Sequence, residues 1–387
     1  MVPIKQTVNQ IKICAPRPDN CEALVNQLLP GTHEFTYYSN GLLLEIAREI
    51  QSIALYQEGE GSFEYARREG TITVEEGDVC CVMEFNHGTF NLNLVADGVL
   101  QSQLTYIVPR GGLTSLASMI KQDALFPDSI REIDEDLIVS AIARRNPKMP
   151  LTYRGLSFED SFKRSVVPWI RASYSEAKNF WKKVRGRDWV SSINKILCAG
   201  GAAPLSVYWQ DWIREQAQAR EATGNVIAIQ EATSMRLLAD NIIVCPNSRM
   251  ANAKGMLELD PVPGFVASVD FGYSAVKVAT SADTVSLMAS AIALPFSKVN
   301  LRDIREGSCY IELKSGPLFE KLRKSSQPTS YVFGVAANSI MGAEKVINNA
   351  KEQYIPHACL AALSPTIAPA SDKKPAKTAA TISVFTQ

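Results

Sequence analysis

The sequence predicts a mainly α-helical protein with a small antiparallel β element, arranged as two lobes with an arm at each terminus. Apolar residues recur at helical spacing through residues 40–57, 112–145 and 157–238, which is typical of amphipathic helices. Alternation with a period of two is confined to residues 71–108 and indicates strands. The 387 residues, 46% of them hydrophobic and 21% charged, suffice for two or three ordinary cores.

The first residues predict an N-terminal arm followed by a large N-terminal lobe. In residues 1–30 a short strand-like segment ends at Pro16 and Pro18, because proline cannot donate a hydrogen bond to a strand ladder. We assign residues 31–230 to the N-lobe, in which residues 40–57 form the first predicted helix.

The β element of the N-lobe is predicted as a set of hairpins. Turn-forming residues separate its strands at Gly77-Asp78, Asn86-His87-Gly88 and Asp97-Gly98. Such short connections join antiparallel strands, whereas parallel strands need a longer crossover. The element is therefore expected to be antiparallel.

The second half of the chain predicts a smaller C-lobe and a C-terminal arm. We assign residues 231–355 to the C-lobe, with a strand pair near 265–278 and helices over 284–294 and 334–354. Residues 356–387 form the predicted C-terminal arm and flexible tail, because Ala, Pro, Ser, Thr and Lys dominate their composition.

Composition excludes several classes of protein. The chain balances 40 Lys+Arg against 40 Asp+Glu, so it does not bind polyanions over its whole surface. It has no apolar run of membrane-spanning length and no apolar leader after Met1. Its eight cysteines are scattered and its three histidines isolated, so we predict buried free thiols, no metal, no cofactor and no membrane partner.

Positive charge is concentrated in residues 163–187, which hold eight basic residues and a single acid, Glu176. On a helix over 169–187 an apolar stripe lies beside a basic stripe formed by Arg171, Lys178, Lys182 and Arg185. Charges one turn apart can follow a nucleic-acid backbone without reading its bases. A solvated amphipathic helix remains the alternative.

One segment suggests nucleotide chemistry. Residues 269–277 contain Asp270-Phe271-Gly272 and resemble the phosphate-binding hairpin of actin-like and sugar-kinase-like ATPases. That fold needs two such elements in a large duplicated α/β architecture, and we find no second copy in the sequence. A tight turn at Gly272 with a buried or capping Asp270 is the alternative. Without other catalytic motifs, we predict that the chain is not an enzyme.

A second resemblance concerns two patches, residues 169–183 and 330–342. The later patch, with Gly334, Ala336, Ala337 and Gly342, is similar to a C-lobe segment of nucleoproteins from non-segmented negative-strand RNA viruses, of the pneumovirus or mymonavirus type. The earlier patch resembles the basic RNA-facing helix of the same family. The resemblance implies a bilobed helical protein that holds single-stranded RNA between its lobes and exchanges its arms with neighbouring subunits.

The resulting hypothesis is a viral nucleoprotein that encapsidates single-stranded RNA and polymerises into a helical nucleocapsid. Expected phosphate contacts come from Arg171, Lys178, Lys182, Lys183 and Arg185. Tyr174 and Tyr331 are the candidates for stacking, and Ser330 and Asn338 for hydrogen bonds to RNA.

Copies of the chain itself and a viral polymerase or its cofactor are the other expected partners of this nucleoprotein. A virion or nucleocapsid in the host cytoplasm is its expected location. The alternatives are a viral coat protein assembled mainly through protein contacts and an actin-like ATPase that uses Asp270 and Gly272.

Overall fold

The computed structural model describes residues 3–146, 148–184, 193–272, 275–295, 299–304, 307–339, 344–345 and 351–364. The strands are β1 (Ile4–Ala15), β2 (Gly31–Ser39), β3 (Leu42–Gln57), β4 (Val79–Phe85), β5 (Thr89–Ala96), β6 (Val99–Pro109), β7 (Thr152–Tyr153), β8 (Leu156–Ser157), β9 (Lys195–Ala199), β10 (Ile242–Val244), β11 (Val266–Phe271), β12 (Ala275–Thr280), β13 (Val285–Ala289), β14 (Ile292–Leu294), β15 (Ser308–Ser315), β16 (Ser330–Gly334) and β17 (Glu344–Lys345). The α-helices are α1 (Asp19–Leu28), α2 (Glu60–Arg68), α3 (Leu113–Gln122), α4 (Glu135–Ala143), α5 (Glu159–Val184), α6 (Ser206–Glu221), α7 (Val226–Asp240), α8 (Ala251–Met256), α9 (Pro317–Lys324) and α10 (Ile355–Leu363). Short 3-10 helices lie at Asp128–Ile130, Ala203–Leu205, Leu301–Asp303, Val335–Ser339 and Lys351–Tyr354.

Two large mixed sheets organise these elements, so the predicted mainly α-helical class with a small antiparallel β element is wrong. A ten-stranded sheet has the order β13-β12-β11-β1-β3-β2-β15-β16-β14-β17. A five-stranded sheet has the order β10-β9-β4-β5-β6. We call the ten-stranded sheet with α1, α9 and α10 lobe 1, and the five-stranded sheet with α3 to α7 lobe 2.

The expected N-terminal arm is also wrong, because β1 is a central strand of lobe 1. It pairs in parallel with β11 on one side and with β3 on the other. Val8, Ile11 and Ile13 on this strand are fully buried. Residues 4–29 therefore contribute to a core, although the strand does end before Pro16 and Pro18 as expected.

Residues 40–57 form strand β3 instead of the predicted helix. Asn40 and Gly41 have φ values of 52° and 81°, which suit the two-residue turn that joins antiparallel strands, and β2 pairs with β3 across it. Ile46 and Ala47, which lie on opposite faces of β3, are both buried, so its apolar residues do not follow a simple alternation. Residues 284–294, also predicted helical, form β13 and β14.

The two sheets share a five-strand arrangement. In lobe 2, β4, β5 and β6 form an antiparallel meander, and β9 and β10 extend it in parallel from β4. In lobe 1, β11, β12 and β13 form the same meander, and β1 and β3 extend it in parallel from β11.

The chain runs through these two arrangements differently. Lobe 2 is continuous, with its meander first and its parallel strands second. Lobe 1 begins with the parallel strands at the start of the chain, and its meander follows only after lobe 2. Lobe 1 is therefore a circular permutation of the strand order in lobe 2. The boundary predicted near residue 230 lies within α7.

Helices α2 and α8 lie between the two sheets and are the covalent connections between the lobes. Helix α2 leads from β3 to β4, and α8 leads from β10 to β11. They cross at Gly61 and Gly255, where a Cβ on Gly255 would overlap the carbonyl oxygen of Gly61. The buried ammonium of Lys12 holds the chain after α8 against β1 by donating to the carbonyls of Leu257, Leu259 and Asp260.

Because the strand order of lobe 1 is permuted, we expect the protein to fold when its chain ends are moved to a different connection. We expect a variant that starts at Pro263, ends at Val262 and joins Gln387 directly to Met1 to keep the far-ultraviolet circular dichroism and cooperative melting of the native chain. The new ends fall in an exposed loop between α8 and β11, where cuts are tolerated.

A permutant with the same joined ends that is opened between Tyr65 and Ala66 is the matched control. It severs the connector α2 and should lose the cooperative transition. Loss of cooperative melting in the first variant, with soluble protein in hand, would contradict the permuted strand order.

Candidate functional site

The predicted basic face lies on the outside of lobe 2. Arg171, Lys178 and Lys182 are exposed on α5, and the ammonium of Lys183 lies 5.3 Å from the ring centroid of Tyr106. The buried side of α5 packs on the sheet face that carries Met83 and Phe85, opposite the face that α2 covers. This stripe therefore points away from the junction of the lobes.

The remaining predicted RNA contacts are dispersed. Tyr174 is half-buried against Trp209 and Trp212, with ring centroids 5.6 and 5.0 Å away. Tyr331 is fully buried in lobe 1 and donates its hydroxyl to the carbonyl of His357 at 3.0 Å. Neither ring is presented to a base.

Of the last three predicted contacts, Ser330 begins β16 in lobe 1. Arg185 and the side chain of Asn338 lie outside the described residues. The structure therefore does not bring the described members of the predicted set together.

Two equivalent hairpins meet at the junction instead. Strands β4 and β11 are the first strands of the two meanders, and each ends in an acid followed by phenylalanine, Glu84-Phe85 and Asp270-Phe271. Helix α8 joins the two strands, because its Asn252 donates to Glu84 on β4 and the carbonyl of its Ala253 accepts from Ser268 on β11. Burial, and after it the charges of Glu58 and Asp270, raise the pKa of Glu84. Ligands of open α/β sheets bind outside the carboxyl ends of parallel strands.

The second hairpin was missed in the sequence because it departs from the expected pattern. Glu84-Phe85-Asn86 carries glutamate and asparagine where Asp270-Phe271-Gly272 carries aspartate and glycine. The detectable signal was the acid-Phe pair that closes an apolar strand just before a hairpin turn. Only the repeated sheet order shows that the two segments are equivalent.

In the lobe 1 hairpin a lysine is paired with the acid. Lys277 Nζ on β12 donates to Asp270 Oδ2 on β11 at 2.6 Å, and both side chains are largely buried. Burial acts to lower the pKa of Lys277, but the charge of Asp270 raises it above its ordinary value. A Cβ on Gly272 would lie 2.8 Å from the carbonyl oxygen of Ala275, so this position after β11 requires glycine.

In the lobe 2 hairpin the turn is held by backbone contacts. Leu113 and Thr114 at the start of α3 donate their backbone N–H groups to the carbonyls of Asn86 and His87 at 3.0 and 2.9 Å. His87 Nε2 lies 2.9 Å from Asp136 Oδ1 on α4. The turn is therefore anchored to two helices of lobe 2.

A glycine loop lies beside this turn, at the end of β9. Gly200 has a φ of 83° and packs so tightly that a Cβ would lie 2.6 Å from the carbonyl oxygen of Phe85. The position of Gly201, in contrast, faces open space. The end of β9 therefore offers exposed backbone next to the hairpin turn.

Glu84 is bound by both connecting helices. Its Oε1 accepts hydrogen bonds from Ser62 Oγ on α2 at 2.9 Å and from Asn252 Nδ2 on α8 at 2.7 Å. Asn252 Oδ1 in turn accepts from the backbone N–H groups of Gly59 and Ser62 at 3.2 and 3.0 Å. The second oxygen of the fully buried carboxyl, Oε2, has no hydrogen-bond partner in the part of the chain that the structure describes.

Glu58, which directly follows β3 of lobe 1, contacts lobe 2 across the junction. Its carboxylate accepts a hydrogen bond from Asn91 Nδ2, and its backbone carbonyl accepts one from Asn93 Nδ2 at 2.9 Å. Next to it, Gln57 Nε2 donates to Thr105 Oγ1 at 2.5 Å. These contacts join the end of β3 to β5 and β6.

The junction combines features that suit a phosphorylated ligand. Hairpin turns and glycine loops present backbone N–H groups to anions, and Lys277 supplies a buried positive charge. Within the described part of the chain, no group of three His, Cys, Asp or Glu side chains could hold a metal ion. No helix in that part is long and apolar enough to cross a membrane.

Comparison with known proteins gives structural similarities only. No protein-family model matches the sequence, and no curated protein matches it. The archaeal actin homolog Ta0583 is 13% identical with a TM-score of 0.45 over 66% of this chain and 68% of its own. The actin-like protein Alp7A is 16% identical with a TM-score of 0.48 over 65% and 66% of the two chains. A Bacillus thuringiensis ParM hybrid with ADP, which contains two ParM mutants, is 13% identical with a TM-score of 0.40 over 92% of this chain and 49% of the hybrid.

The expected membership of the viral nucleoproteins is wrong. The named structures are actin-like proteins, and the segment that carried the resemblance has a different structure. Ser330–Gly334 is strand β16, hydrogen-bonded to β15 and β14 inside the ten-stranded sheet. Of the small residues that suggested RNA or helix contact, Gly334 ends this strand and Ala336 and Ala337 lie in the 3-10 helix after it, whereas Gly342 lies outside the described residues.

The buried carboxyl of Glu84 predicts a pH-dependent stability. Its pKa is raised to about 8 by burial and by Glu58 and Asp270. Between the ordinary carboxyl pKa and pH 8 the folded protein holds a proton that the unfolded chain has lost, so the free energy of unfolding falls as pH rises. The slope contributed by Glu84 is at most about 1.4 kcal/mol per pH unit.

We expect Glu84→Gln to reduce this slope, measured by urea unfolding between pH 5 and pH 8. Glu64→Gln, which removes an acid paired with Arg67 on the same helix as Ser62, is the control and should leave the slope unchanged. If the free energy of unfolding changed with pH equally in the native chain and in Glu84→Gln, Glu84 would not titrate in this range.

Proposed function

We propose that the chain is an actin-like ATPase, which binds a nucleoside triphosphate between the two lobes and hydrolyses it. The observation that carries the proposal is the pair of acid-Phe hairpins, Glu84-Phe85 and Asp270-Phe271, at the meeting strand ends of two equally arranged sheets. The Asp270-Phe271-Gly272 element thus has the second copy that such a fold requires.

The groups at the junction account for phosphate binding. Lys277 Nζ, now paired with Asp270, reaches a bound phosphate by a change of rotamer, since lysine is a flexible point charge. The turn at Gly272 and the open position at Gly201 let backbone approach phosphate or ribose. One loop comes from each lobe, so the ligand would bridge them.

Hydrolysis needs a water molecule oriented for in-line attack on the terminal phosphate. Asp270 and Glu58 are the acids placed to orient it, because both lie at the strand ends near Lys277. The expectation that the chain is not an enzyme stays untested, and this proposal replaces it.

The nucleotide site predicts a specific effect of Lys277. We expect Lys277→Ala to weaken binding of a fluorescent ATP analogue in the presence of Mg²⁺ at least tenfold, about 1.4 kcal/mol, and to lower phosphate release. The control, Lys178→Ala, removes a lysine from the exposed stripe of α5.

If the native chain and Lys277→Ala bound the ATP analogue with equal affinity, the lobe 1 hairpin would not be part of the nucleotide site. Weakening by Lys178→Ala alone would place the anion site on α5. Nucleotide binding with no phosphate release would leave a binding protein without ATPase activity.

We also propose that copies of the chain associate with one another, which keeps the sequence-based expectation of a homo-oligomer. Helix α7 favours this because it exposes large apolar side chains: Val226, Ile227 and Leu237 are 70%, 67% and 61% exposed. Exposed apolar groups clustered on one element are typical of protein contacts. The predicted partners RNA and viral polymerase, and the predicted virion location, lose their basis with the nucleoprotein hypothesis.

If copies of the chain associate through α7, a charged residue introduced on this helix should keep the protein monomeric. We expect Leu237→Glu to lower the fraction of protein that sediments after ATP and Mg²⁺ are added, because burying a carboxylate in a contact is costly. Leu125→Glu, at a 52% exposed leucine outside α7, is the control. Sedimentation that is unchanged by Leu237→Glu would exclude α7 from the contact.

A further inference from the structure

Glu84 connects the nucleotide site to both helices that join the lobes. It sits on β4 at the lobe 2 hairpin, and its Oε1 is held by Ser62 on α2 and Asn252 on α8. Asn252 also binds backbone N–H groups at the start of α2. A single buried carboxyl therefore cross-links the two connectors directly beneath the hairpins.

The charged and titratable groups around Glu84 come from every element packed against it. They are Glu58 after β3, Asp270 and Lys277 on β11 and β12, Cys14 on β1 and Cys245 after β10. Three carboxyls thus share one lysine, and that lysine already pairs with Asp270. Among the residues that the structure describes, Glu84 forms no ion pair, and its Oε2 has no hydrogen-bond partner.

We propose that Glu84 is a positioning residue that carries a proton while it cross-links α2 and α8, and that nucleotide binding draws a proton from solution onto it. This inference rests on the proposed nucleotide site. It adds a function for a residue that need not touch the nucleotide.

Two electrostatic changes on binding act in the same direction. The triphosphate brings negative charge to the junction, and Lys277 turns from Asp270 to the phosphate, which leaves the aspartate unpaired. Both changes favour the neutral form of a nearby buried carboxyl. The proton comes from solvent, and no covalent bond forms or breaks.

The neutral carboxyl keeps the connectors in place. A protonated Glu84 still offers Oε1 as acceptor to Ser62 and Asn252, so both helices stay bound to β4. An ionised Glu84 places an uncompensated charge between the lobes, which favours their separation because water can then reach it. Binding and lobe closure are thereby coupled to one proton.

The test is calorimetric titration with the non-hydrolysable analogue AMPPNP and Mg²⁺ at pH 8, in two buffers with different ionisation enthalpies. The pKa of Glu84 in the nucleotide-free protein is about 8, so Glu84 is about half protonated at this pH. We therefore expect binding to be accompanied by uptake of up to about half a proton. Affinity of the native chain should fall severalfold between pH 7 and pH 9.

Glu84→Gln should bind without proton uptake and with an affinity that does not change over this range, since the amide mimics the neutral acid. Ser62→Ala provides a second variant, because the Ser62 hydrogen bond lowers the pKa of Glu84. Its loss should move the midpoint of the affinity profile to higher pH. Glu64→Gln, at a half-buried acid of α2 that pairs with Arg67 instead of Glu84, should behave as the native chain.

Equal proton uptake in the native chain and Glu84→Gln, or proton release on binding, would overturn the role of Glu84 while leaving the nucleotide site intact. An unshifted midpoint in Ser62→Ala would also overturn it. Absence of binding at every pH would overturn the proposed function, and this inference with it.

Discussion

The close crossing of α2 and α8 is the constraint on which the rest of the structure depends. Backbone meets backbone at Gly61 and Gly255, and any side chain there would force the helices apart. The crossing brings Ser62 and Asn252 within hydrogen-bond distance of Glu84. It also sets the distance between the sheets, so the meeting of the two hairpins follows from it.

The permuted chain order is compatible with this site because the site depends on strand ends, not on connectivity. The carboxyl ends of β1, β3 and β11 reach the junction whether β11 precedes or follows β1 in the chain. Both connections between the lobes are kept as well. Permutation therefore leaves the arrangement of strand ends at the site unchanged.

Long-range strand pairing and burial account for the elements that local sequence patterns predict wrongly. Ile46, Ile50 and Ile53 recur at helical spacing, but pairing with β1 and β2 makes residues 42–57 a strand, because tertiary contacts override local preference. The basic stripe of α5 was identified correctly as a helix face, but Arg171 and Lys178 face solvent. Helical spacing shows which residues share a face and not what that face meets.

The sequence by itself determined local features: the β4–β6 hairpins, the amphipathic helix at α5, and the unusual acid-Phe-Gly turn at Asp270. These depend on neighbouring residues, whose spacing and turn chemistry are visible in the chain. The tertiary structure alone decided the sheet order, the burial of Tyr331 and the meeting of Glu84 with Asp270. Those contacts join residues far apart in sequence, and their formation depends on strand pairing and burial that no local pattern encodes.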